Sequence, residues 1–271
     1  MCLADIIRNL PQNPHGREQF CVVSLVRLGY ADQMMSVKPW RAEAVMQLLA
    51  GVFACLCLGV IAAGALHHAG VAAFKSPDSF ANVLVATLSF QGATLVMGWI
   101  FLKWHGMKWR DVLGLQNPSC ARFVLLAAGA MVLMLPVVLG LEQLSVMALE
   151  HLGWHPEDQR AVDLLANTHS WRLRAYLVFF AVVLAPAAEE FVFRGVLYPF
   201  IKQLGWPRLA WLGVSLLFAA IHVNLPTLLP LFVLALALTW LYEKTDCLLA
   251  PIAAHSLFNT ANVIILFIQN R

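Results

Sequence analysis

The chain has 271 residues, of which 61% are hydrophobic and 12% are charged, whereas soluble domains carry about 25% charged residues. With a mean hydropathy of +0.74, this composition excludes an ordinary soluble protein and indicates an integral membrane protein. The formal net charge of +3 is too small to indicate a nucleic-acid partner, and the six cysteines form no CxxC pair that would predict a zinc site or a disulfide framework.

Residues 1–40 precede the first apolar segment and contain several charged residues. We expect them to be a cytosolic tail that is either disordered or the product of a mis-called start, since Met34 and Met35 offer a second start. The first apolar segment begins only after residue 43, which excludes an ordinary cleaved signal peptide. Residues 41–271 are predicted to form one membrane domain.

Apolar segments long enough to cross a bilayer, which takes about 20 residues, follow one another through this domain. The run 209–242 is too long for one helix, and Asn224, Pro226 and Pro230 are predicted to divide it into two spans. The sequence therefore predicts an all-α, polytopic transmembrane bundle of about seven spans, with a polar active site inside the bundle. The predicted apolar segments cover residues 44–66, 79–102, 123–149, 173–200, 209–242 and 247–270.

Basic residues are concentrated in alternate loops. The segments before the first span, between the second and third spans and after the fourth span are basic, whereas the loop over residues 150–163 is acidic. Because basic loops stay in the cytoplasm, we expect a cytoplasmic N-terminus and an outer C-terminus. This pattern is typical of a multi-pass protein of the bacterial cytoplasmic (inner) membrane.

Three polar motifs interrupt the apolar segments of the second half of the chain. An ionisable group in hydrocarbon costs about 2.5–3.5 kcal/mol on insertion scales, so such groups indicate a function. The motifs are Glu189-Glu190-x-x-x-Arg194, Phe218-x-x-x-His222 and His255-x-x-x-Asn259.

The first motif predicts two carboxylates with different roles. Glu190 and Arg194 are four residues apart and share a helix face, in the favourable order of acid before base. Glu189 is rotated by about 100° from Glu190 and points elsewhere. We predict that the Glu190–Arg194 ion pair supports Glu189. The alternative is an ion pair that only stabilises the bundle, which leaves the second acid unexplained.

The two histidine motifs are weaker when taken separately. His222 follows an apolar run, and a lone histidine at a helix end is more often structural than catalytic. His255 and Asn259 share a helix face, yet imidazoles and amides in spans often serve only as hydrogen bonds between helices. We expect Gln91 and Asn82, in the second span, to serve in that way.

Together, the motifs predict a hydrolase that activates water. Glu189 and His222 can share a water molecule and take its proton, while His255 and Asn259 can donate hydrogen bonds to a developing oxyanion. Glu189 and His255 lie roughly 12–15 Å from the cytoplasmic helix ends and His222 roughly 22 Å. Convergence of these side chains is therefore the structural requirement for catalysis.

The motif order EExxxR, FxxxH, HxxxN resembles the Abi family of CAAX-prenyl-protease-like membrane proteins, the glutamate intramembrane endopeptidases, over about residues 120–268. The resemblance implies an endopeptidase similar to CAAX prenyl protease 2 that uses no metal or cofactor. Its substrate would be a membrane-embedded or lipidated protein or peptide in the lipid bilayer. The resemblance implies that Glu189 and His222 activate water, that His255 and Asn259 form the oxyanion hole, and that Glu190 and Arg194 are supporting residues.

Two other functions remain open. Glu189, His222 and His255 match zinc ligands in type and number, although the sequence has no HExxH pair. Alternatively, the protein is a non-catalytic scaffold, transporter or bacteriocin-immunity factor whose polar residues only hold helices together. Sensitivity to chelators and the effect of Glu189→Gln distinguish these functions from the predicted one.

Overall fold

A computed structural model describes residues 38–154 and 159–269, so most of the predicted N-terminal tail lies outside the described residues. The described secondary structure is helical, which confirms the predicted all-α class. Within these ranges, six helices have the length and composition of membrane spans, and α5 is a shorter apolar helix. The helices are α1 (Ala42–His68), α2 (Phe80–Trp104), α3 (Cys120–His151), α4 (Trp171–Gln203), α5 (Pro207–Ala220), α6 (Leu225–Thr245) and α7 (Leu249–Gln269).

Short helical segments connect some of these spans. A single 3₁₀ turn over Ala72–Phe74 follows α1, and a four-residue helix over Trp109–Val112 follows α2. The helix Arg160–Asn167 precedes α4. Each predicted apolar segment overlaps one helix of this list with boundaries shifted by a few residues, except 209–242, which overlaps both α5 and α6.

The uncharged run 209–242 is divided as predicted, but Pro230 has no part in the division. The chain leaves α5 at Ile221 and starts α6 after Asn224, whose side chain accepts a hydrogen bond from the backbone N–H of Thr227 at 3.2 Å. Pro226 occupies the first turn of α6, where its missing N–H is not needed. Pro230 lies inside α6, so the prediction that it interrupts the helix is wrong; apolar membrane helices tolerate such a proline.

Helix α4 is continuous but not uniform. Its α-helical turns are interrupted by π-helical stretches over Phe180–Leu184 and Phe191–Leu197, on either side of the short α-helical piece Ala185–Glu190. Pro186 removes one backbone donor at the start of that piece. Helix α2 contains a similar π stretch over Leu88–Gly92. Because π-helical insertions are rare and frequently mark functional sites, they draw attention to the region around Glu189 and Glu190.

Packing places α4, α6 and α7 around a common interior. Helices α5 and α6 form an antiparallel pair, α3 packs on α6 and α7, and α2 packs between α1 and α4. The segment before α1 also joins this interior: Trp40 is buried and donates a hydrogen bond from Nε1 to the carbonyl of Gly195 at 2.8 Å. Lys38 forms a 2.8 Å salt bridge with Asp246, at the end of α6.

Candidate active site

A buried carboxylate, Glu190, joins two of the predicted motifs. Its Oε1 accepts a hydrogen bond from Arg194 Nη1 at 2.8 Å, and Nδ1 of His255 lies 2.9 Å from the same oxygen. The side chains of Glu190 and Arg194 are completely buried and that of His255 nearly so. The predicted ion pair is therefore present, and it reaches across to α7 as well. Since an ionised carboxylate only accepts hydrogen bonds, Nδ1 of His255 is the donor.

Helix α6 completes the surroundings of Arg194. The guanidinium donates to Thr239 Oγ1 at 3.3 Å and to the carbonyl oxygen of Ala235 at 3.1 Å, and it lies 4.6 Å from the ring centroid of Phe218. A buried guanidinium needs several acceptors at fixed positions to offset its loss of water. These contacts lock α4, α5 and α6 together around the ion pair and thereby fix the position of Glu190.

Glu189 is the freer of the two adjacent carboxylates. Its side chain is 12% exposed, against 0% for Glu190. Glu189 Oε2 lies 4.0 Å from His255 Nε2, and among the described residues it has no closer polar partner. The structure thus separates a carboxylate that holds its neighbours from one that is available for another partner.

His222 reaches the site through an aromatic ring. It follows the last turn of α5, where its Nδ1 lies 2.8 Å from the carbonyl oxygen of Phe218. The ring of Phe218 lies between the two histidines, with centroid distances of 5.0 Å to His222 and 5.6 Å to His255. Phe218 also packs on Arg194, so these ring contacts bring His222 near the other two motifs.

The backbone after His222 has an unusual conformation. Val223 has a φ angle of 48°, in the left-handed region that β-branched residues rarely adopt. This conformation ends α5 and turns the chain into α6, so His222 is held at a sharp corner rather than within a regular helix. Strained residues of this kind are often found beside functional groups.

Asn259 is held against the first π-helical stretch of α4. Its Nδ2 donates to the carbonyl oxygen of Ala181 at 2.7 Å. One hydrogen of the Asn259 amide is used in this contact, and the other remains for a second acceptor. Asn259 lies one turn beyond His255 on α7, as the spacing predicts.

An apolar cavity of about 300 Å³ borders this region. It lies between α2, α4, α7 and the short helix after α2, two residues from Glu189 along α4 and three residues from His255 along α7. Its walls offer no charged group, so it suits an apolar group and not a polar one. The lining residues are Leu95, Trp109, Leu113, Ala187, Phe191, Leu248 and Ile252.

The region that contains all these motifs also matches a known family. Residues 171–261 match the family described as Type II CAAX prenyl endopeptidase Rce1-like. The match covers about a third of the chain, so it shows that this segment is similar to the CAAX-protease-like family. The match begins at the first residue of α4 and ends within α7, so it contains all six residues of the predicted site. No curated protein and no solved structure matches the chain.

This similarity, together with six apolar helices among the described residues, supports a multi-pass membrane protease. Over the described ranges, no three His, Cys, Asp or Glu side chains come together as a cluster that could hold a metal ion. Glu189, His222 and His255, considered above as zinc ligands, are near one another but do not form such a cluster.

Some features of the site have no signal in the sequence motifs. The hydrogen bond between Glu190 and His255 and the contacts of Arg194 with Thr239 and Ala235 depend on tertiary packing. The interhelical role expected for two amides in the second span is wrong. Asn82 bonds to the carbonyls of Phe74 and Ser76 in the loop before α2, and Gln91 has no hydrogen bond with any described residue.

Proposed function

We propose that the protein is an intramembrane endopeptidase that hydrolyses a peptide bond of a membrane-associated or lipidated protein or peptide. The observation that carries this proposal is the unequal pair of carboxylates on α4. Oε1 of Glu190 is engaged by Arg194 and His255, and its Oε2 is buried without a partner. Glu189 lies beside His255 with no hydrogen bond to the described residues.

The separation between Glu189 and His255 suits a shared water molecule. A water that forms hydrogen bonds of about 2.8 Å to two atoms 4.0 Å apart makes an angle of roughly 90° at its oxygen. In the proposed reaction Glu189 takes a proton from this water, and the resulting hydroxide attacks the carbonyl carbon of the substrate. His222 assists the proton transfer from the side of Phe218. The C–N bond then breaks, and Glu189 returns the proton to the leaving amine.

Stabilisation of the oxyanion falls to α7 in this proposal. We assign this role to the free N–H of Asn259 and to Nε2 of His255, because each group is fixed by a contact on its other side. In this proposal both ring nitrogens of His255 carry a proton, so that Nδ1 donates to Glu190 and Nε2 donates to the oxyanion. Fixed donors stabilise a developing charge without reorganising, which is why removal of one such donor costs about 10²–10³ in kcat. Glu190 and Arg194 act as positioning residues, since they orient His255 and do not face the substrate.

The same proposal assigns a place in the cell. Basic loops on one side of the membrane support a cytoplasmic N-terminus in a bacterial inner membrane, with residues 41–271 as one membrane domain. The CAAX-protease-like core would then meet substrates that are anchored in the cytoplasmic leaflet.

Comparison of membrane peptidomes tests the proposed function. Cells that produce wild-type protein, Glu189→Gln or His222→Ala should differ in one trimmed membrane peptide, which is present only with the wild type. Glu150→Gln removes a carboxylate at the exposed end of α3 and serves as the matched control. Identical peptidomes for wild type and Glu189→Gln, with equal protein levels, would contradict catalysis and support a scaffold or immunity role. Loss of the product with a zinc chelator would support the metalloprotease alternative.

A further inference from the structure

The face of α2 that packs on α4 carries polar side chains that the proposed reaction does not use. Two contacts define this face. At one end, Thr87 Oγ1 forms a hydrogen bond with the hydroxyl of Tyr176 on α4. At the other end, Gly98 lies so close to Phe191 that an added Cβ would be 2.5 Å from its ring. The residues of α2 between these contacts therefore run alongside the stretch of α4 that leads to Glu189.

Only Gln91 and Thr94 are buried in the part of α2 between Thr87 and Gly98. The π stretch that contains Gln91 packs directly on the piece Ala185–Glu190 of α4. The opposite face of α2 is directed to α1, where Ser89 and Met97 lie against glycines of that helix. Gln91 and Thr94 thus belong to the face that borders the candidate active site.

The hydroxyl of Thr94 is an exception among the buried threonines that the structure describes. Thr87, Thr239 and Thr245 each bond to the carbonyl oxygen four residues earlier in their helix, as hydroxyls in helices commonly do. Thr94 Oγ1 is fully buried and has no hydrogen-bond partner. A buried hydroxyl without a partner loses the hydrogen bonds that water would have given it, so its position needs a reason beyond packing.

Gln91 is a second polar residue of this face without a protein partner, although its amide is not completely buried. The residue is 7% exposed and makes no hydrogen bond within the part of the chain that the structure describes. An amide side chain offers two donors and one acceptor with two lone pairs. Two adjacent polar groups without protein partners, one turn apart on the face that borders Glu189, indicate a ligand that supplies the partners.

A substrate inside the bilayer has a matching need. An extended peptide segment must be exposed for its carbonyl carbon to be attacked, and its N–H and C=O groups then lack the intrahelical partners that a membrane-spanning peptide otherwise has. We propose that Gln91 and Thr94 bind the main chain of the substrate beside the bond that is cleaved. This inference rests on the proposed function, because it assigns a role in that same site.

The chemistry of the pair favours the peptide main chain over a side chain of the substrate. A glutamine amide can accept from a peptide N–H and donate to a peptide C=O at the same time, and neither residue carries a charge that would select an ionic group. The neighbouring cavity, lined by Leu95 and Phe191, is apolar and leaves room for an apolar group on the same segment. The pair would therefore hold substrates largely regardless of their sequence.

Kinetics on the full-length protein in phospholipid vesicles test this inference. The probe is an internally quenched, farnesylated peptide with a CAAX end, together with its unprenylated form. Gln91→Leu and Thr94→Val keep the approximate shape of each side chain and remove its hydrogen bonds. We expect KM to rise about five- to tenfold for each variant with little change in kcat, because contacts made equally in the ground and transition states affect KM alone.

A control and a second readout separate binding from a structural role. Ser89→Ala lies on the same π stretch but faces α1, and its hydroxyl is bonded to Val85, so KM should stay at the wild-type value. Thr94→Val should leave resistance to unfolding unchanged or higher, since it removes an unpaired hydroxyl. When one backbone amide of the peptide is replaced by an ester, the KM of the wild type should rise. The KM of Gln91→Leu should be the same for the ester peptide as for the amide peptide.

The outcomes distinguish this inference from the function on which it rests. Cleavage by the wild type with an unchanged KM in both Gln91→Leu and Thr94→Val would overturn the inference alone. The same holds if the variants lose stability and kcat together while KM stays constant. Equal product from wild type and Glu189→Gln would overturn the proposed function and the inference with it.

Discussion

Helices α4 and α6 differ sharply from helices α1 and α3 in how much of their surface is buried inside the bundle. In an apolar stretch of 18 residues from each helix, the buried share is 50% in α6 and 39% in α4, against 17% in both α1 and α3. The buried helices carry the ion pair and its partners, whereas the other two expose large apolar side chains over most of their length. Among the described spans, the fully buried pair of Glu190 and Arg194 therefore lies where neighbouring helices supply hydrogen-bond partners.

The largest expected loss of stability comes from breaking the ion pair between the buried helices. Arg194→Met leaves the carboxylate of Glu190 buried without its cation and should lower the free energy of unfolding by about 3–5 kcal/mol. Unfolding in mixed detergent micelles measures this change. The double variant Glu190→Gln/Arg194→Met should recover part of the loss. A single variant as stable as the wild type would show that the pair does not hold the core.

Two leucines test the difference in burial directly. Leu234 on α6 is 0% exposed and Leu133 on α3 is 74% exposed. Leu234→Ala should lower the free energy of unfolding by about 2–5 kcal/mol because it leaves a cavity, whereas Leu133→Ala should change it by less than about 0.5 kcal/mol. The same unfolding assay compares the two. Equal losses would remove the distinction between the two groups of helices.

Two glycines provide a smaller test at the boundary between the groups. Gly98 touches Phe191, whereas an added Cβ at Gly129 on α3 would meet nothing within 4 Å. Gly98→Ala should lower the free energy of unfolding by about 1–3 kcal/mol through overpacking. Gly129→Ala should raise it by up to about 1 kcal/mol because alanine favours the helix. Effects of the same sign would show that α2 can shift away from α4 without cost.

The smallest expected effect is at the corner between α5 and α6. Val223 is 90% exposed and has a φ angle of 48°. Val223→Gly removes the steric cost of this conformation and should raise the free energy of unfolding by about 1 kcal/mol, after the added flexibility of glycine is deducted. Val223→Ala, which keeps a Cβ in the same conformation, should gain less. Lower stability of the glycine variant would mean that the corner is not strained.

The sequence predicted the architecture well because hydropathy and length determine which segments cross a membrane. It also predicted the Glu190–Arg194 pair, since residues four apart on a helix meet without help from the rest of the fold. The prediction for Pro230 was wrong because the sequence around a proline does not show whether it ends a helix or is tolerated inside one. Only the neighbouring helices decide between these outcomes.

Other parts of the site depend on contacts that no local pattern encodes. The π stretches of α2 and α4 arise without a distinctive sequence, and they change which residues share a face. The hydrogen bond from His255 to Glu190 joins residues 65 positions apart. The position of His222 near the other two motifs follows from the ring contacts of Phe218. Gln91 was predicted to be an ordinary interhelical amide because the sequence does not show the π stretch in which it lies.

The adjacent carboxylates of α4 offer the most direct test of the account. The measurement is the rate of peptide cleavage by purified Glu189→Gln and Glu190→Gln proteins, each with its resistance to unfolding. We expect Glu189→Gln to lose about 10²–10⁴ in kcat while it unfolds like the wild type, and Glu190→Gln to unfold more easily and retain more activity. A fully active Glu189→Gln protein would contradict the account.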